Sequence, residues 1–458
     1  MAEQISSLQE TDSLTKDPKA QEDFSREAAE TIARASELAA AGRVDEAVEA
    51  CLIVEKKARQ ASDGSSASKL SCHVLKMFKE KGRWPDVHEY LQLLPKKRGQ
   101  LKRAIIDMVQ MAMKWLDDTG SEEEKLRLIG TLDAVTDGKI FVEVERARLV
   151  KLLAGIKEAK GEVDEAAKLM QEVQVETFGA MDRREKAEFI LEQMRLVLAR
   201  QDFVRCQIIS KKINPKLLEA EDFQDLKITF YSFMVRYWLS EGDHMQVAKC
   251  FWSIFSTPSV KDSKEDWMDS LQKYLLFLLL APLDNEQQDM LHKLRTIEEK
   301  KMDKMPLFKK ILADFLQQEV VAWPMPSGAQ LQAHEVFQEK PYEGGSERWG
   351  LLRKRIIQHN IKVVAQYYTK IGLVRLAEVL AVTEDECEKE TAELVCAKSV
   401  AAKIDRPAKE VTFGEKKDST ALPSVWNQDV QKVLDLVNES CHLIQKERMV
   451  AAAKAKVR

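Results

Sequence analysis

One short pattern recurs along the first half of this chain and narrows the folds open to it. A Gly or polar turn residue is followed by a charged residue and, at the fifth position after it, by a small or β-branched one. The strings are GRVDEA from Gly42, GRWPDV from Gly82, GEVDEA from Gly161, QDFVRC from Gln201 and GDHMQV from Gly242. Their starting points lie 40, 79, 40 and 41 residues apart. The long step is two periods, and the skipped unit falls at Gly120 and Ser121, where DDTGSEEE reads as a turn and a helix start. Six units with a period near 40 predict helix-turn-helix repeats, longer than the roughly 34 residues of tetratricopeptide repeats. Each unit exposes an apolar face that only a neighbour can cover, so stacking is obligatory.

Composition agrees. Only 17 Gly and 12 Pro occur among 458 residues, about half the frequency of an average protein. Hairpin-rich sandwiches and glycine-rich phosphate loops are poorly served by such a chain. Charged residues make up 32% and hydrophobic ones 45%, which separates the chain from disordered sequences. The formal charge of −4 gives no global reason to seek nucleic acid or an anionic membrane. The N-terminus has no apolar signal core. The longest apolar run, Tyr274 to Leu283, is half the roughly 20 residues of a membrane span and predicts a buried core helix.

Residues 1–25 lack a sustained apolar period and are expected to form a mobile tail. Repeats occupy 26–240, and 241–372 continue in helices around a loop at 323–349 marked by Pro324, Pro326, Gly328, Pro341, Gly344 and Gly345. A helix after the loop carries Ile357, Ile361, Val364 and Tyr368 on one face. Over 373–414 the chain changes character. A short helix, Leu373 to Leu380, precedes a capping box of Thr383 and Glu386 that starts a second helix, Glu384 to Ala397. Two β-prone runs follow, Ser399 to Ile404 and Glu410 to Phe413, divided by Asp405, Arg406 and Pro407. Helix, turn, helix and two strands is the order of a winged helix. A polar linker at 415–424 leads to a final helix at 425–458.

Catalytic and metal-binding patterns are missing. His88-Glu89 and His334-Glu335 begin a metalloprotease motif, but Gln92 and Gln338 stand where the second His belongs. No phosphate-cradling or nucleophile-elbow string occurs. The seven cysteines show no C-x-x-C pair, so they predict free thiols in a reducing compartment. Cys72-His73 and Cys441-His442 are adjacent, yet neighbours on a helix point about 100° apart and do not form a nucleophile–base pair. No catalytic residue, cofactor site or metal site is expected.

A winged helix raises DNA binding through its second helix. Here that helix carries Glu384, Asp385, Glu386, Glu388, Glu390 and Glu393 against one Lys389, and would repel phosphate. Its apolar positions, Cys387, Thr391, Leu394 and Val395, are expected to pack inward, leaving strands and an acidic face for protein partners. In the last helix Trp426, Val430, Val433, Val437, Cys441 and Ile444 recur with a mean step of 3.6. They form a narrow apolar stripe suited to a bundle or groove, and are the candidate interface. The competing reading packs this helix back onto its own domain.

Repeats, winged helix and terminal helix in this order resemble the PCI-domain scaffold subunits. The strings GKIFVEVERARLVKLLAGIKE (Gly138 to Glu158), EFILEQMRL (Glu188 to Leu196), QIISKKIN (Gln207 to Asn214), LAPLDNEQ (Leu280 to Gln287) and RWGLLRKRIIQHNIKVVAQYYTKI (Arg348 to Ile371) narrow the resemblance to the lid branch of the 26S proteasome. It runs from about Gly42 to Lys446. The resemblance implies a right-handed α-solenoid, a PCI-type winged helix with a small sheet, and a long C-terminal helix. It also implies a non-catalytic scaffold of the lid, in cytoplasm and nucleus, supporting assembly and ATP-dependent degradation of ubiquitinated proteins. Partners would be other PCI subunits through winged-helix edges, here Ser399 to Ile404 and Glu410 to Phe413. The terminal helix would join a lid helical bundle, and the repeats would reach toward the ATPase base and proteolytic core. Deubiquitination would belong to a different, metal-binding lid subunit. The alternative is a PCI scaffold of the COP signalosome or of a translation-initiation complex.

Overall fold

The structure, a computed structural model, describes residues 22–263, 265–414 and 421–457. The expected tail, apart from its last residues, and the first part of the expected linker lie outside them. The chain forms two compact units, Met1–Leu271 and Gln272–Arg458.

In the first unit the helices come in pairs: α1 (Ser25–Ala40) with α2 (Val44–Gln60), α3 (Gly64–Glu80) with α4 (Trp84–Leu93), and α5 (Lys102–Lys114) with α6 (Glu122–Thr136). The series continues with α7 (Glu143–Ala159) and α8 (Val163–Glu172), α9 (Arg183–Ala199) and α10 (Phe203–Ser210), and α11 (Gln224–Glu241) and α12 (His244–Phe255). The recurrent sequence pattern marks the turn inside each pair. Gly42, Gly82, Gly161 and Gly242 all take positive φ, between 71° and 86°. Gln201 takes the same left-handed conformation, with φ 59°, so it is a true repeat position without a glycine. In all five, the following N–H reaches back five residues to close the helix end: Arg43 to Leu38, Arg83 to Phe78, Glu162 to Lys157, Asp202 to Val197, and Asp243 to Trp238, at 3.0–3.1 Å. This is a Schellman closure, for which a left-handed residue is required.

The fifth-position residues, Ala47, Val87, Ala166, Cys206 and Val247, are all fully buried. They lie one turn into the second helix, where it crosses the first closely enough to need a small or β-branched side chain. The skipped unit has a different joint. Its first helix ends in a 3-10 turn at Trp115–Asp117, and the Ser121 hydroxyl caps α6 by accepting from the Glu124 N–H at 3.2 Å.

Polar contacts between pairs repeat at nearly the same sequence distance. Arg83 donates to Asp45 at 2.9 Å, Arg148 to Glu185 at 2.6 Å, and Arg195 to Glu158 at 2.6 Å. Such half-exposed ion pairs contribute about 0–1 kcal/mol each. They fix register, while the buried apolar faces supply the stability.

The second unit begins inside α14 (Asp266–Leu280), which follows the short α13 (Pro258–Asp262). Tyr274 to Ala281 are all buried, so the longest apolar run is a core helix. Then come α15 (Asn285–Ile297), α16 (Glu299–Met302), α17 (Pro306–Leu316), α18 (Gly328–Gln332) and α19 (Gly345–Tyr367). The expected loop at 323–349 is therefore built around a short helix, and α19 starts within it. Arg348 pins it by donating to the Val336 and Tyr342 carbonyls, both at 2.7 Å. At Gly345 a Cβ would lie 2.5 Å from the carbonyls of Phe337 and Gln338, so only glycine fits.

α19 buries Ile357, Ile361 and Val364 but ends at Tyr367; Tyr368 is extended and exposed. The expected fourth member of that face instead leads into a strand. This strand, β1 (Lys370–Gly372), has no counterpart in the sequence reading. The order continues with α20 (Leu373–Leu380), α21 (Glu384–Cys396), β2 (Ala402–Asp405), β3 (Glu410–Phe413) and α22 (Ala421–Val457). The Thr383 hydroxyl caps α21 as expected, accepting from the Glu386 N–H.

The left-handed turn is directly testable. Gly82→Ala is expected to destabilise the chain by about 1 kcal/mol through left-handed strain, and Gln201→Gly to stabilise it by roughly 0.5 kcal/mol. Thermal melting of the full chain should show the two shifts with opposite signs.

Candidate assembly surface

The winged-helix sheet is antiparallel in the order β1-β3-β2. Ile371, Val411 and Ile404 align in one row across it, with Val411 fully buried against a core that includes Leu376, Cys387 and Leu394. Glu410 to Phe413 is therefore the central strand, paired on both sides, and not an edge as the resemblance implied. The edges are β1 and β2, which pair only with β3 among the described residues. Each carries a lysine beside Thr412, Lys370 on one flank and Lys403 on the other. Strand edges with lysines resist indiscriminate pairing.

Helix α21 holds the place of a DNA-reading helix, but its carboxylates are already engaged. Glu386 meets Arg353 at 3.1 Å, and buried Glu390 accepts from the Gln358 amide at 2.9 Å and faces Lys354 at 3.6 Å. Lys354 also pairs with Glu393 at 2.5 Å. These partners come from α19, which packs along this face of α21. On another side, Arg406 holds Glu388 at 2.6 Å and Lys409 holds Glu384 at 2.9 Å, both from the β2–β3 connection. The acidic face expected to meet partners is thus largely consumed by the module itself. Sequence reasoning counted the acids but could not see that four bases, 33 to 39 positions before and 18 to 25 after, fold onto them. Of the apolar positions, Cys387, Thr391 and Leu394 are buried and Val395 is half-buried.

The expected stripe lies on α22. Trp426 is 73% exposed, and Val430, Val433, Val437, Cys441 and Ile444 are exposed with it. Every residue from 426 to 453 is exposed, so the helix does not pack back onto its own domain. At about 100° per residue the six side chains fall within roughly 80° of the helix circumference. Leu434 widens the stripe on one side, and Leu436 and Leu443 add exposed apolar surface on the other. The helix begins at Ala421, inside the expected linker, so its first turn lies upstream of the stripe. An amphipathic helix of this length with no covered face is complete only against something else.

Comparison with known proteins follows the same divisions. Residues 46–263 match the family model described as PSMD12/CSN4, N-terminal, and 330–415 match the PCI domain. Residues 425–452 match the model described as 26S proteasome regulatory subunit RPN5 C-terminal domain. The chain is 40% identical over 441 residues to 26S proteasome non-ATPase regulatory subunit 12 of Dictyostelium discoideum, covering 96% of this chain and 97% of that protein. It is 41% identical over 438 residues to homolog A of that subunit in Arabidopsis thaliana (90% and 98%). To the 26S proteasome regulatory subunit RPN5 of Saccharomyces cerevisiae it is 35% identical over 444 residues (96% and 98%). The chain belongs to the family of 26S proteasome non-ATPase regulatory subunit 12.

The N-terminal model carries two names, whereas the model over 425–452 carries one and spans the whole stripe from Trp426 to Ile444.

The two histidines that begin partial metalloprotease motifs make local structural contacts. His88 hydrogen-bonds Thr131 at 3.0 Å, between α4 and α6, and His334 accepts from the Val336 N–H at 3.3 Å. Among the described residues no three His, Cys, Asp or Glu are grouped to hold a metal. No helix among them is long and apolar enough to cross a membrane. All seven cysteines are free. Burial pushes the thiols of Cys51, Cys72, Cys206 and Cys387 up to about 11 and that of Cys250 up to about 12. They are therefore protonated and poor nucleophiles at neutral pH. Cys396 and Cys441 are exposed. A disulfide reagent added to the native chain at pH 7.5 is expected to label Cys396 and Cys441 within seconds. Cys51, Cys206, Cys250 and Cys387 should react only on unfolding; fast labelling of these four would contradict the packing described.

Proposed function

We propose that this chain is a non-catalytic scaffold subunit of the lid of the 26S proteasome regulatory particle. It supports assembly of the particle and thereby ATP-dependent degradation of ubiquitinated proteins. The observation that carries this reading is the uncovered stripe of α22, which coincides with the RPN5 C-terminal match. Burying six such side chains yields on the order of 10 kcal/mol, at roughly 1.5–3 kcal/mol for each large one. Association itself costs an estimated 4–15 kcal/mol. The stripe therefore anchors the chain only if most of it is buried at once, as in a helical bundle with other lid subunits.

The edges of β1 and β2 offer backbone groups for sheet extension to neighbouring PCI subunits. The helical repeats are the part left to approach the ATPase base and the proteolytic core. Seven free thiols suit a reducing environment, in keeping with cytoplasm and nucleus.

Removal of Ala421–Arg458 tests the reading. The truncated chain should fold with unchanged melting of its cores, yet enter lid particles at least about tenfold less, the equivalent of about 1.4 kcal/mol. Native gels and mass spectrometry of the tagged chain measure this. Undiminished incorporation, or recovery with cullin-associated subunits in place of ATPase and core-particle subunits, contradicts it.

A further inference from the structure

Phe24, just before α1, packs against Ala67 of α3 and against Leu101, the residue before α5. Its N–H donates to the Asp63 carboxylate at 3.0 Å. The described chain starts two residues earlier, at Glu22. Residues 1–21 therefore join the structure beside the N-terminus of α5.

A groove of about 310 Å³ opens at the same place. Lys102, the first residue of α5, forms one rim, and the α6–α7 and α8–α9 connections supply Lys139, Ile140, Phe141 and Phe178. Ile140 is 64% exposed, while Val142 of the same 3-10 turn is fully buried and anchors it. The core is served by Val142, so an apolar side chain at 140 serves whatever fills the groove.

The groove stays cationic when its acids are counted. Lys139 pairs with no carboxylate among the described residues and donates to the Val135 carbonyl at 2.6 Å. Burial, and then the neighbouring charge of Lys96, push its ammonium below the usual lysine range. Lys96, Lys102 and Lys139 thus stand against one lining acid, Glu143. Other acids nearby are engaged: Asp137 holds Arg146 at 2.5 Å, Glu176 holds Lys212 at 2.7 Å, and Asp182 caps α9 by accepting from the Arg184 N–H at 3.2 Å. Glu172 lines the adjoining cavity together with Arg146. Residues 94–106 hold no acid at all.

The part of the chain that starts beside this groove has the complementary composition. Residues 3–14 carry Glu3, Glu10 and Asp12, the aliphatic Ile5, Leu8 and Leu14, and no Lys or Arg. As a coil, the stretch from Leu8 to Glu22 spans about 20 Å on average. Such a tether gives a roughly millimolar effective concentration, enough to populate a contact too small to hold a separate partner.

We propose that the groove is filled by the chain's own residues 3–14, their aliphatic side chains against Ile140, Phe141 and Phe178 and their carboxylates toward Lys102 and Lys139. The segment is a tethered plug, and the inference stands apart from the assembly reading.

The test uses the purified full chain with p-benzoylphenylalanine replacing Ile140 as a photo-crosslinker. Irradiation should join position 140 to a residue of 3–14 within one chain, with a yield constant over a roughly tenfold range of chain concentration. Glu3→Lys, Glu10→Lys and Asp12→Lys together, or salt raised to about 0.5 M, should cut that yield about fivefold. Ile5→Asp with Leu8→Asp should remove the product. The crosslinker placed at Leu8 instead leaves the groove unaltered, and should capture the segments around Lys102, Ile140 or Phe178. No product from the Leu8 position overturns the proposal. So does a product that joins two copies and rises with concentration, or one that reaches a different part of the chain.

Discussion

Each helical pair in the first unit leaves an apolar face that the pair about 40 residues away must cover. From that constraint the other features follow. The turn inside a pair must reverse the chain within a few residues, which selects a left-handed residue at Gly42, Gly82, Gly161, Gln201 and Gly242. The second helix must cross the first closely, which selects Ala47, Val87, Ala166, Cys206 and Val247. Polar contacts between pairs then recur at similar sequence separations, as in Arg83–Asp45 and Arg195–Glu158. Stability of this kind is shared between neighbours, so damage at one joint weakens the adjoining pairs.

The second unit applies the same physics to opposite effect. Its winged helix satisfies itself: α19 and the β2–β3 connection neutralise the carboxylates of α21, and the central strand is paired on both sides. Helix α22 is covered by nothing among the described residues. Taken together, a module with its reading helix occupied and an adjoining helix with an open apolar stripe point to protein assembly rather than to nucleic acid. Charge that phosphate would oppose is instead spent inside the fold.

How much of this the sequence discloses depends on how local each feature is. The joints were legible because turn residue and packing residue stand five positions apart. Gln201 was recognisable only through the period, since its side chain gives no sign of a left-handed backbone. The stripe of α22 was legible because one helix face is a matter of spacing, although its start at Ala421 was obscured by polar residues. Strand β1 was not legible: three residues with one inward side chain, Ile371, carry too little pattern, and only pairing with Val411 makes them a strand. Without β1, nothing in the sequence opposed the edge role that the resemblance implied for Glu410 to Phe413. Pairing of the acidic helix was equally hidden, because Arg353 and Lys354 lie on a different helix, 33 to 39 positions upstream of the acids they meet.

The central claim is that α22 is completed by helices of other chains. Amide hydrogen exchange over residues 426–450, compared between the free chain and the assembled particle, tests it most directly. An exposed single helix without tertiary support should exchange quickly when free, and burial in a bundle should slow it by two orders of magnitude or more, equivalent to about 2.7 kcal/mol of added protection. Equal exchange in both states would contradict the account.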